Sequence, residues 1–297
     1  MNNNNAPVVI FAYIRPSKLE NLIVSLMRNN EFYDTKFIFY VDKYKDDSDK
    51  LKNQNVVDVI KKYSKNCNFE IHIADQNLGL KSNILKGINE SLNKYKKCIF
   101  LEDDLIVGEH FLSYMNDALE IYKDNKKVKH ISGYNFPLRF ASVRSSYFTQ
   151  YMYCWGWATW YDRWEENTNM NINKISNLSK KTRRLFNIYG FEKDFESQLI
   201  RNQNKTLNTW AIFWFQHIFL SKGLCVNPYK SLVQNTGEDS EGVHGIDFKL
   251  YNSKINNNKI YKFPTKLKFN TLNKLRIILF YITKRFKKNL KKITFNY

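Results

Sequence analysis

The sequence predicts an α/β fold in which a mainly parallel sheet is flanked by helices. Up to about residue 125, short apolar runs alternate with segments of helical period, which is the pattern of βαβ units. One apolar run ends abruptly in Glu102-Asp103-Asp104, and open α/β sheets bind their ligands at the carboxyl ends of strands. With 43% hydrophobic and 16% aromatic residues, the 297-residue chain can bury a substantial core.

Turn and helix-start residues set the boundaries of the predicted elements. A strand over 7–13 is followed by Pro16 and Ser17, which favour the beginning of a helix that extends to residue 27. The same criteria predict strands over 37–41, 70–74, 98–101 and 130–133, helices around 56–60 and over 81–95 and 210–220, and a pair of short strands at 226–228 and 231–233.

The acidic run is the first candidate for chemistry. Adjacent carboxylates repel one another unless a cation or hydrogen-bond donors hold them. Oxygen ligands of this kind favour Mg²⁺ or Mn²⁺, usually completed by substrate phosphates. Glu102-Asp103-Asp104 therefore indicates a divalent-cation site. The alternative is that Asp103 or Asp104 caps a helix beginning near Leu105, because acids are favoured at helix N-termini.

A tryptophan-rich stretch is the second candidate. Gly156 separates Trp155 from Trp157, and indole rings suit the faces of sugars and bases. We predict that these two rings lie in a site, and that Trp160 and Trp164, at helical spacing, lie in the core. The competing interpretation places all of these rings in the core.

A glycine-rich acidic loop is predicted over 235–245. It carries Asp239, Glu241 and His244, side chains that are able to do chemistry. His244 is either a metal ligand or a structural histidine, and the sequence alone leaves both interpretations open.

The segment 251–297 is predicted as a basic C-terminal extension. Its apolar residues repeat at helical spacing and its lysines occupy the remaining faces. The apolar stripe comprises Leu275, Leu279, Ile282, Phe286, Leu290 and Ile293. A basic amphipathic helix is typical of a segment that lies on an anionic membrane surface, and we expect that role here. The alternative is a helix docked on the domain with a solvated outer face.

The net charge of +19 indicates an anionic partner, such as nucleic acid, anionic lipid or a phosphorylated substrate. The four cysteines show neither a CxxC pair nor zinc spacing, so we expect reduced thiols. No signal peptide or apolar stretch of membrane-spanning length is evident. A cytoplasmic protein, peripheral on the inner face of the cell membrane, is therefore expected.

Several motifs follow one another in a fixed order along the chain: Tyr13-Ile14-Arg15, Val41-Asp42, Leu101-Glu102-Asp103-Asp104-Leu105 with its following Phe-rich helix, Gly156-Trp157, Asn208-Thr209-Trp210, Cys225-Val226-Asn227-Pro228 and Gly242-Val243-His244-Gly245. By this ordered set, the chain from about Pro7 to Phe248 resembles nucleotide-sugar glycosyltransferases of the GT-A fold, and among them bacterial relatives of N-acetylglucosaminyltransferase I. The resemblance implies a GT-A domain over 1–250, with a nucleotide-binding half at about 6–125 and an acceptor half at about 126–250.

The resemblance implies roles for the donor-binding residues. Arg15 and Asp42 match residues that line the nucleotide pocket, with Asp42 near the base. Lys81 stands where the family has a polar contact ahead of the acidic motif. Glu102 and Asp103 match residues that hold sugar and ribose hydroxyls.

The resemblance also implies a metal ligand and a catalytic base. Asp104 matches the ligand that bridges Mn²⁺ or Mg²⁺ to the diphosphate, and His244 is the second candidate ligand. The aromatic residues expected to stack on acceptor or sugar are Trp155, Trp157 and Trp210. Where the family has an aspartate base, this chain has Asn208, whose amide cannot take a proton at neutral pH. The base is expected to be Asp239 or Glu241; alternatively Asn208 only orients the acceptor, or the alignment slips there.

The resulting hypothesis is a metal-dependent, inverting glycosyltransferase. It would move a hexose or N-acetylhexosamine from a UDP-sugar to a lipid-linked glycan or a surface polysaccharide such as lipopolysaccharide, with no nucleic-acid partner. Two other classes compete with it. One is a basic nucleic-acid-binding protein, although no nucleic-acid motif appears. The other is a catalytically inactive, membrane-bound scaffold of the same fold, suggested by Asn208.

Overall fold

The computed structural model of the chain describes residues 5–65, 67–137, 144–165, 175, 177–192, 194–237, 251–260 and 262–294, with the backbone alone over 287–294. The strands of its central sheet are β1 (Val8–Ala12), β2 (Lys36–Val41), β3 (Asn68–Ile73), β4 (Lys97–Glu102), β6 (Val128–Ser132), β7 (Ser146–Thr149), β8 (Trp157–Trp160) and β9 (Leu224–Pro228). A second, two-stranded sheet pairs β5 (Leu105–Val107) with β10 (Val233–Asn235).

The central sheet confirms the predicted α/β class with a mostly parallel sheet. Its strand order is β3-β2-β1-β4-β8-β6-β9-β7. Strands β1, β2, β3, β4, β6 and β9 run in one direction, and β7 and β8 run in the other. This arrangement, with a parallel first half and a mixed second half, agrees with the GT-A fold that the resemblance implies.

Helices on both sides of the parallel half make the crossovers that parallel strands require. These are α1 (Pro16–Leu26), α2 (Asp47–Tyr63) and α3 (Leu80–Tyr95). Pro16 lies in the first turn of α1, where its missing N–H costs nothing. Gly87 lets α3 approach the sheet, because a Cβ at that position would lie 2.5 Å from the Phe11 ring. The other helices are α4 (Phe111–Ile121), α5 (Tyr161–Glu165), α6 (Lys180–Phe186), α7 (Asp194–Gln203), α8 (Ala211–Leu220) and α9 (Thr271–Thr294).

The structure excludes the helix-cap alternative for the acidic run and corrects the helical spacing predicted for Trp160 and Trp164. No helix begins near Leu105: that residue starts strand β5, so Asp103 and Asp104 form a turn between two strands rather than a helix cap. Trp160 ends strand β8 and only Trp164 is helical, although both are buried in the core as predicted. In both places a short apolar segment fits strand and helix equally well, and its tertiary partner decides.

All four cysteines are free, in agreement with the predicted thiols. Cys98 on β4 and Cys225 on β9 are buried, and burial raises the pKa of both thiols. Cys67 and Cys154 are partly exposed. A buried thiol with a raised pKa behaves as a small apolar side chain, so Cys98 and Cys225 contribute to packing.

One face of α9 docks on the domain. Ile277 and Tyr281 are buried, and Phe280 stacks on Phe136 with ring centroids 4.4 Å apart. The Tyr281 hydroxyl lies 3.3 Å from the hydroxyl of Tyr153. This face of the helix is therefore docked on the domain, as in the alternative interpretation of the C-terminal segment. Among the described residues, no helix combines the length and apolarity needed to cross a bilayer.

Candidate functional site

An acidic turn lies at the carboxyl edge of the sheet, between β4 and β5. The parallel pairing of β1 with β4 sets Phe11 opposite Glu102, so the segments that follow the two strands emerge side by side. The N–H of Asp103 donates to the carbonyl of Phe11 at 3.0 Å, and the N–H of Tyr13 donates to Asp103 Oδ2 at 3.3 Å. The structure thus brings together two of the segments singled out in the sequence.

Arg15 binds both aspartates of this turn. Its Nη2 lies 2.5 Å from Asp103 Oδ1, and its Nη1 donates to Asp104 Oδ2 at 2.9 Å. The Arg15 side chain is 19% exposed, whereas that of Asp103 is only 2% exposed. A guanidinium presents its donors in a planar fork that matches carboxylates and phosphates. Arg15 therefore supplies the counter-charge that allows two carboxylates to lie next to each other.

Asp104 keeps one carboxylate oxygen without a hydrogen-bond partner. Its Oδ1 is buried and accepts no hydrogen bond, and such an oxygen is costly unless a donor or cation satisfies it. Mg²⁺ and Mn²⁺ prefer oxygen ligands of this kind. Within the described part of the chain, no group of three His, Cys, Asp or Glu could hold a metal ion. Asp104 therefore fits a cation that takes its other ligands from water and substrate phosphates, as Mg²⁺ commonly does.

Burial and the repulsion of neighbouring carboxylates raise the pKa values of Glu102 and Asp103. For Glu102, desolvation and the neighbouring carboxylates of Asp104 and Asp103 raise the pKa to about 8. For Asp103, desolvation outweighs the opposing effect of Arg15 and raises the pKa to about 7. The turn therefore gains from a bound cation, which would favour the ionised carboxylates.

These raised pKa values predict that stability falls as pH increases. Between its ordinary pKa and the raised one, Glu102 binds more protons in the folded state than in the unfolded state, so the free energy of unfolding decreases as pH rises from about 5 to about 8. Glu102→Gln should reduce this decline, measured as the melting temperature across that range. Asp58→Asn, on the exposed face of α2, is the matched control for loss of one carboxylate. A profile for Glu102→Gln as steep as that of the unmodified chain would contradict the prediction.

Asp42 holds the turn ahead of α3. Its Oδ1 accepts from the N–H groups of Lys43 at 2.9 Å and Leu78 at 2.8 Å, and its Oδ2 accepts from the N–H of Gly79 at 2.9 Å. The side chain is buried, at the same edge of the sheet as the acidic turn. A carboxylate offers about four lone-pair sites, so acceptor capacity remains after these three bonds. The predicted contact of Asp42 with the base stays a prediction.

Asn53 is a residue that the sequence did not single out. It is buried on α2, and its Nδ2 donates to the carbonyls of Tyr13 and Asp42, each at 2.8 Å. It therefore ties together the segments that follow β1 and β2. An asparagine within a charged helix carries no pattern of its own, so only the packing of α2 against these segments identifies it.

A strand from far along the chain covers the acidic turn. The sequence predicted that 231–233 pairs with 226–228, which is wrong: β10 pairs with β5, and β9 pairs with β6 and β7. Directly after β10, Thr236 donates through its N–H and its Oγ1 to the carbonyl of Asp104, each at 2.8 Å. This contact brings the beginning of the predicted loop to the acidic turn.

The loop candidates Asp239, Glu241 and His244 lie outside the described residues, so their roles stay predictions. Gly237, the last described residue before them, approaches the site closely: a Cβ at this position would lie 2.6 Å from Asp104 Oδ2. Gly237 therefore places the beginning of the predicted loop beside the acidic turn.

Two of the three tryptophans predicted to stack on substrate are core residues. Trp157 is 2% exposed, Trp210 is 6% exposed, and their rings stack with centroids 5.5 Å apart. Trp157 also lies 4.6 Å from the Phe100 ring and stacks on His130 at 5.2 Å. Burial of both rings disfavours the stacking role, which stays a prediction. The competing core interpretation describes them.

The remaining candidates lie nearer the surface. Trp155 is partly exposed and meets Tyr134 edge to face, with ring centroids 4.6 Å apart. Asn208 is exposed, three residues before α8. Lys81 Nζ lies 4.7 Å from the ring of Phe213 on α8, and burial lowers the pKa of Lys81. Helix α8 therefore lies between Lys81 and the segment that carries Asn208. The roles of Trp155, Asn208 and Lys81 stay predictions.

Comparisons with known proteins find structural matches at low sequence identity. No protein-family model and no curated protein matches the chain. The chain is similar to a crystal structure of S. aureus TarS 1-349, at 12% identity and a TM-score of 0.45, covering 78% of this chain and 60% of that one. A second crystal structure of S. aureus TarS matches at 12% identity and a TM-score of 0.39, covering 55% of this chain and 30% of that one. A third crystal structure, of S. aureus TarS 1-349 in complex with UDP, matches at 17% identity and a TM-score of 0.32, covering 43% of this chain and 34% of that one. The chain thus spans less than two thirds of the length of each of these chains.

Proposed function

We propose that the chain is a GT-A glycosyltransferase that uses a nucleotide-diphosphate sugar, with UDP as the expected nucleotide. The observation that carries this proposal is the acidic turn, in which Arg15 bridges Asp103 and Asp104 while Asp104 Oδ1 stays unpartnered. An arginine fork suits phosphate oxygens, and a carboxylate oxygen beside it suits the cation that accompanies a diphosphate. Both lie at the carboxyl edge of a mostly parallel sheet, where such folds bind ligands.

Each residue of the turn has an assigned part in donor binding. Asp104 is the protein ligand for Mn²⁺ or Mg²⁺, which when bound supplies charge neutralisation for the departing nucleoside diphosphate. Arg15 is assigned to the phosphate oxygens. Glu102 and Asp103 are assigned to hydroxyl groups of the donor. A bound cation favours the ionised form of Glu102, whose carboxylate oxygens can accept hydrogen bonds from those hydroxyl groups.

The acceptor side of the proposal rests on the loop after β10. An acceptor hydroxyl needs a general base within hydrogen-bond reach of its proton, and Asp239 or Glu241 is assigned to this role. The contact of Thr236 with Asp104 supports the assignment, because it begins the loop at the donor site. Exposed Asn208 is assigned to orienting the acceptor. We propose transfer of a hexose or N-acetylhexosamine with inversion, to a lipid-linked glycan or a surface polysaccharide.

Thermal melting with Mn²⁺ and a panel of UDP, CDP, GDP and ADP tests the donor site. We expect one nucleotide, UDP, to raise the melting temperature only when the cation is present. A ligand at a hundredfold excess over its dissociation constant adds about 2.7 kcal/mol of stability, or roughly 5–10 °C for a chain of this size. Adding Mn²⁺ alone, and each nucleotide with a chelator, are the controls.

The melting measurement, together with oligonucleotide binding and a turnover assay, separates the competing classes. Absence of a shift with every nucleotide would contradict the proposal. A steeply salt-dependent affinity for oligonucleotides that survives Asp104→Asn would instead favour a nucleic-acid-binding protein, for which the net charge of +19 is the motivating observation. A metal-dependent shift without turnover on any acceptor would favour the inactive scaffold suggested by Asn208.

A further inference from the structure

We propose that the outer face of α9 is a docking surface for membranes that contain anionic phospholipid. The outer stripe, as we name it, consists of Leu272, Leu275, Leu279 and Phe286. These side chains are 57%, 52%, 60% and 67% exposed, respectively. Their spacing of three, four and seven residues places them along one side of the helix. Large apolar side chains that line up in solvent mark an interaction surface.

The outer stripe is distinct from the face that holds α9 on the domain. That inner face uses Ile277, Phe280 and Tyr281, which pack against aromatic residues such as Phe136 and Tyr153. The helix therefore carries two apolar faces, of which the fold covers one. Because the inner face anchors the helix, the outer stripe is presented on a fixed support and does not need to fold upon binding.

The charge of the helix selects an anionic lipid surface as the occupant. The segment 271–297 contains no acidic residue and eight basic ones, Lys274, Arg276, Lys284, Arg285, Lys287, Lys288, Lys291 and Lys292. Lys284 forms an ion pair with Glu192 at 2.6 Å, and the Arg276 guanidinium lies 5.3 Å from the centre of the Tyr229 ring, so both contribute to docking of the helix. Each remaining basic residue near an anionic surface strengthens binding by about fivefold. A second copy of this helix would meet the stripe with the same charge and no acidic partner, which disfavours self-association.

The docked helix is connected through Tyr251 to Trp155, one of the residues predicted to stack on acceptor or sugar. The rings of Phe280 and Tyr251 are 5.8 Å apart, and those of Tyr251 and Trp155 are 6.5 Å apart. A membrane under α9 would therefore lie on the side of the domain that carries Trp155, which suits a lipid-linked acceptor. This last consequence rests on the proposed function, whereas the docking itself does not.

Vesicle flotation of the full chain tests the proposal. The probes are vesicles of phosphatidylcholine alone and with about 30% phosphatidylglycerol. The test variant combines Leu275→Ser, Leu279→Ser and Phe286→Ser. The matched control combines Leu51→Ser, Ile121→Ser and Ile200→Ser, which are 71%, 53% and 49% exposed elsewhere on the surface. All six sites are exposed, so both variants should fold.

We expect the unmodified chain and the control to float with the anionic vesicles and the test variant to lose at least about a hundredfold in binding. Binding of the unmodified chain should also weaken in high salt. Equal binding by the test variant, or no binding by the unmodified chain, would overturn the proposal. So would a dimer in sedimentation analysis that the test variant dissociates, which would assign the stripe to a second copy. The nucleotide-dependent melting shift should be the same in both variants, so failure here is distinguishable from failure of the proposed function.

Discussion

Asp104→Asn should abolish the cation-dependent melting shift with nucleotide and lower sugar transfer by at least about a thousandfold. The amide is nearly the same size as the carboxylate but carries no charge, so it is a much weaker ligand for a divalent cation. The variant should still fold, because the turn is held by the backbone of Asp104. Its carbonyl accepts both hydrogen bonds from Thr236, and β5 still pairs with β10.

Two readouts distinguish loss of the cation ligand from general damage. Calorimetry should show that Mn²⁺ and UDP no longer bind together, while the melting temperature without ligand should be unchanged or slightly higher. A rise would follow from removal of one of the carboxylates whose repulsion raises the pKa of Glu102. Asp58→Asn, on the surface of α2, is the control for loss of charge and should bind and transfer normally. Full activity of Asp104→Asn would remove the metal assignment.

Trp157→Ala should destabilise the chain by about 3–5 kcal/mol, a cost typical of deleting a large buried aromatic side chain. The ring contacts Phe100, His130 and Trp210, and it is 2% exposed. Removing it leaves a cavity between β4, β6 and the helix that begins after Trp210, because β4 and β6 are held in place by their strand pairings. The melting temperature should fall by roughly 10 °C.

Trp155→Ala is the comparison, because Trp155 is partly exposed and lies two residues away. Its loss should lower stability much less, and in the proposed function it should weaken acceptor use while leaving the cation-dependent nucleotide shift in place. Urea unfolding of both variants gives the two free energies of unfolding directly. If Trp157→Ala kept the stability of the unmodified chain and lost only acceptor binding, the core assignment of Trp157 would be wrong.

The sequence by itself determined the order of the elements and the location of the acidic turn. Strands such as β1 and β4 are short apolar runs with sharp boundaries, and α3 and α9 carry apolar residues at helical period, so their conformation depends mostly on local pattern. The alternation of strands and helices also fixes the direction of the strands. The acids that end β4 therefore lie at the carboxyl edge of the sheet. The resemblance to GT-A enzymes added roles to these positions.

Only the tertiary structure decided which side chains meet and which face of an element is covered. Arg15 and Asp104 are 89 positions apart, and their contact follows from the pairing of β1 with β4. Trp157 and Trp155 read alike in the sequence, yet neighbours from β4, β6 and α8 enclose the first and leave the second partly exposed. Helix α9 shows the same limit, because its pattern contains two apolar faces and only the docking of Ile277 and Tyr281 shows that Leu275 and Leu279 remain in solvent. The physical reason is that periodicity is a property of neighbouring residues, whereas burial is a property of whatever the rest of the chain brings against them.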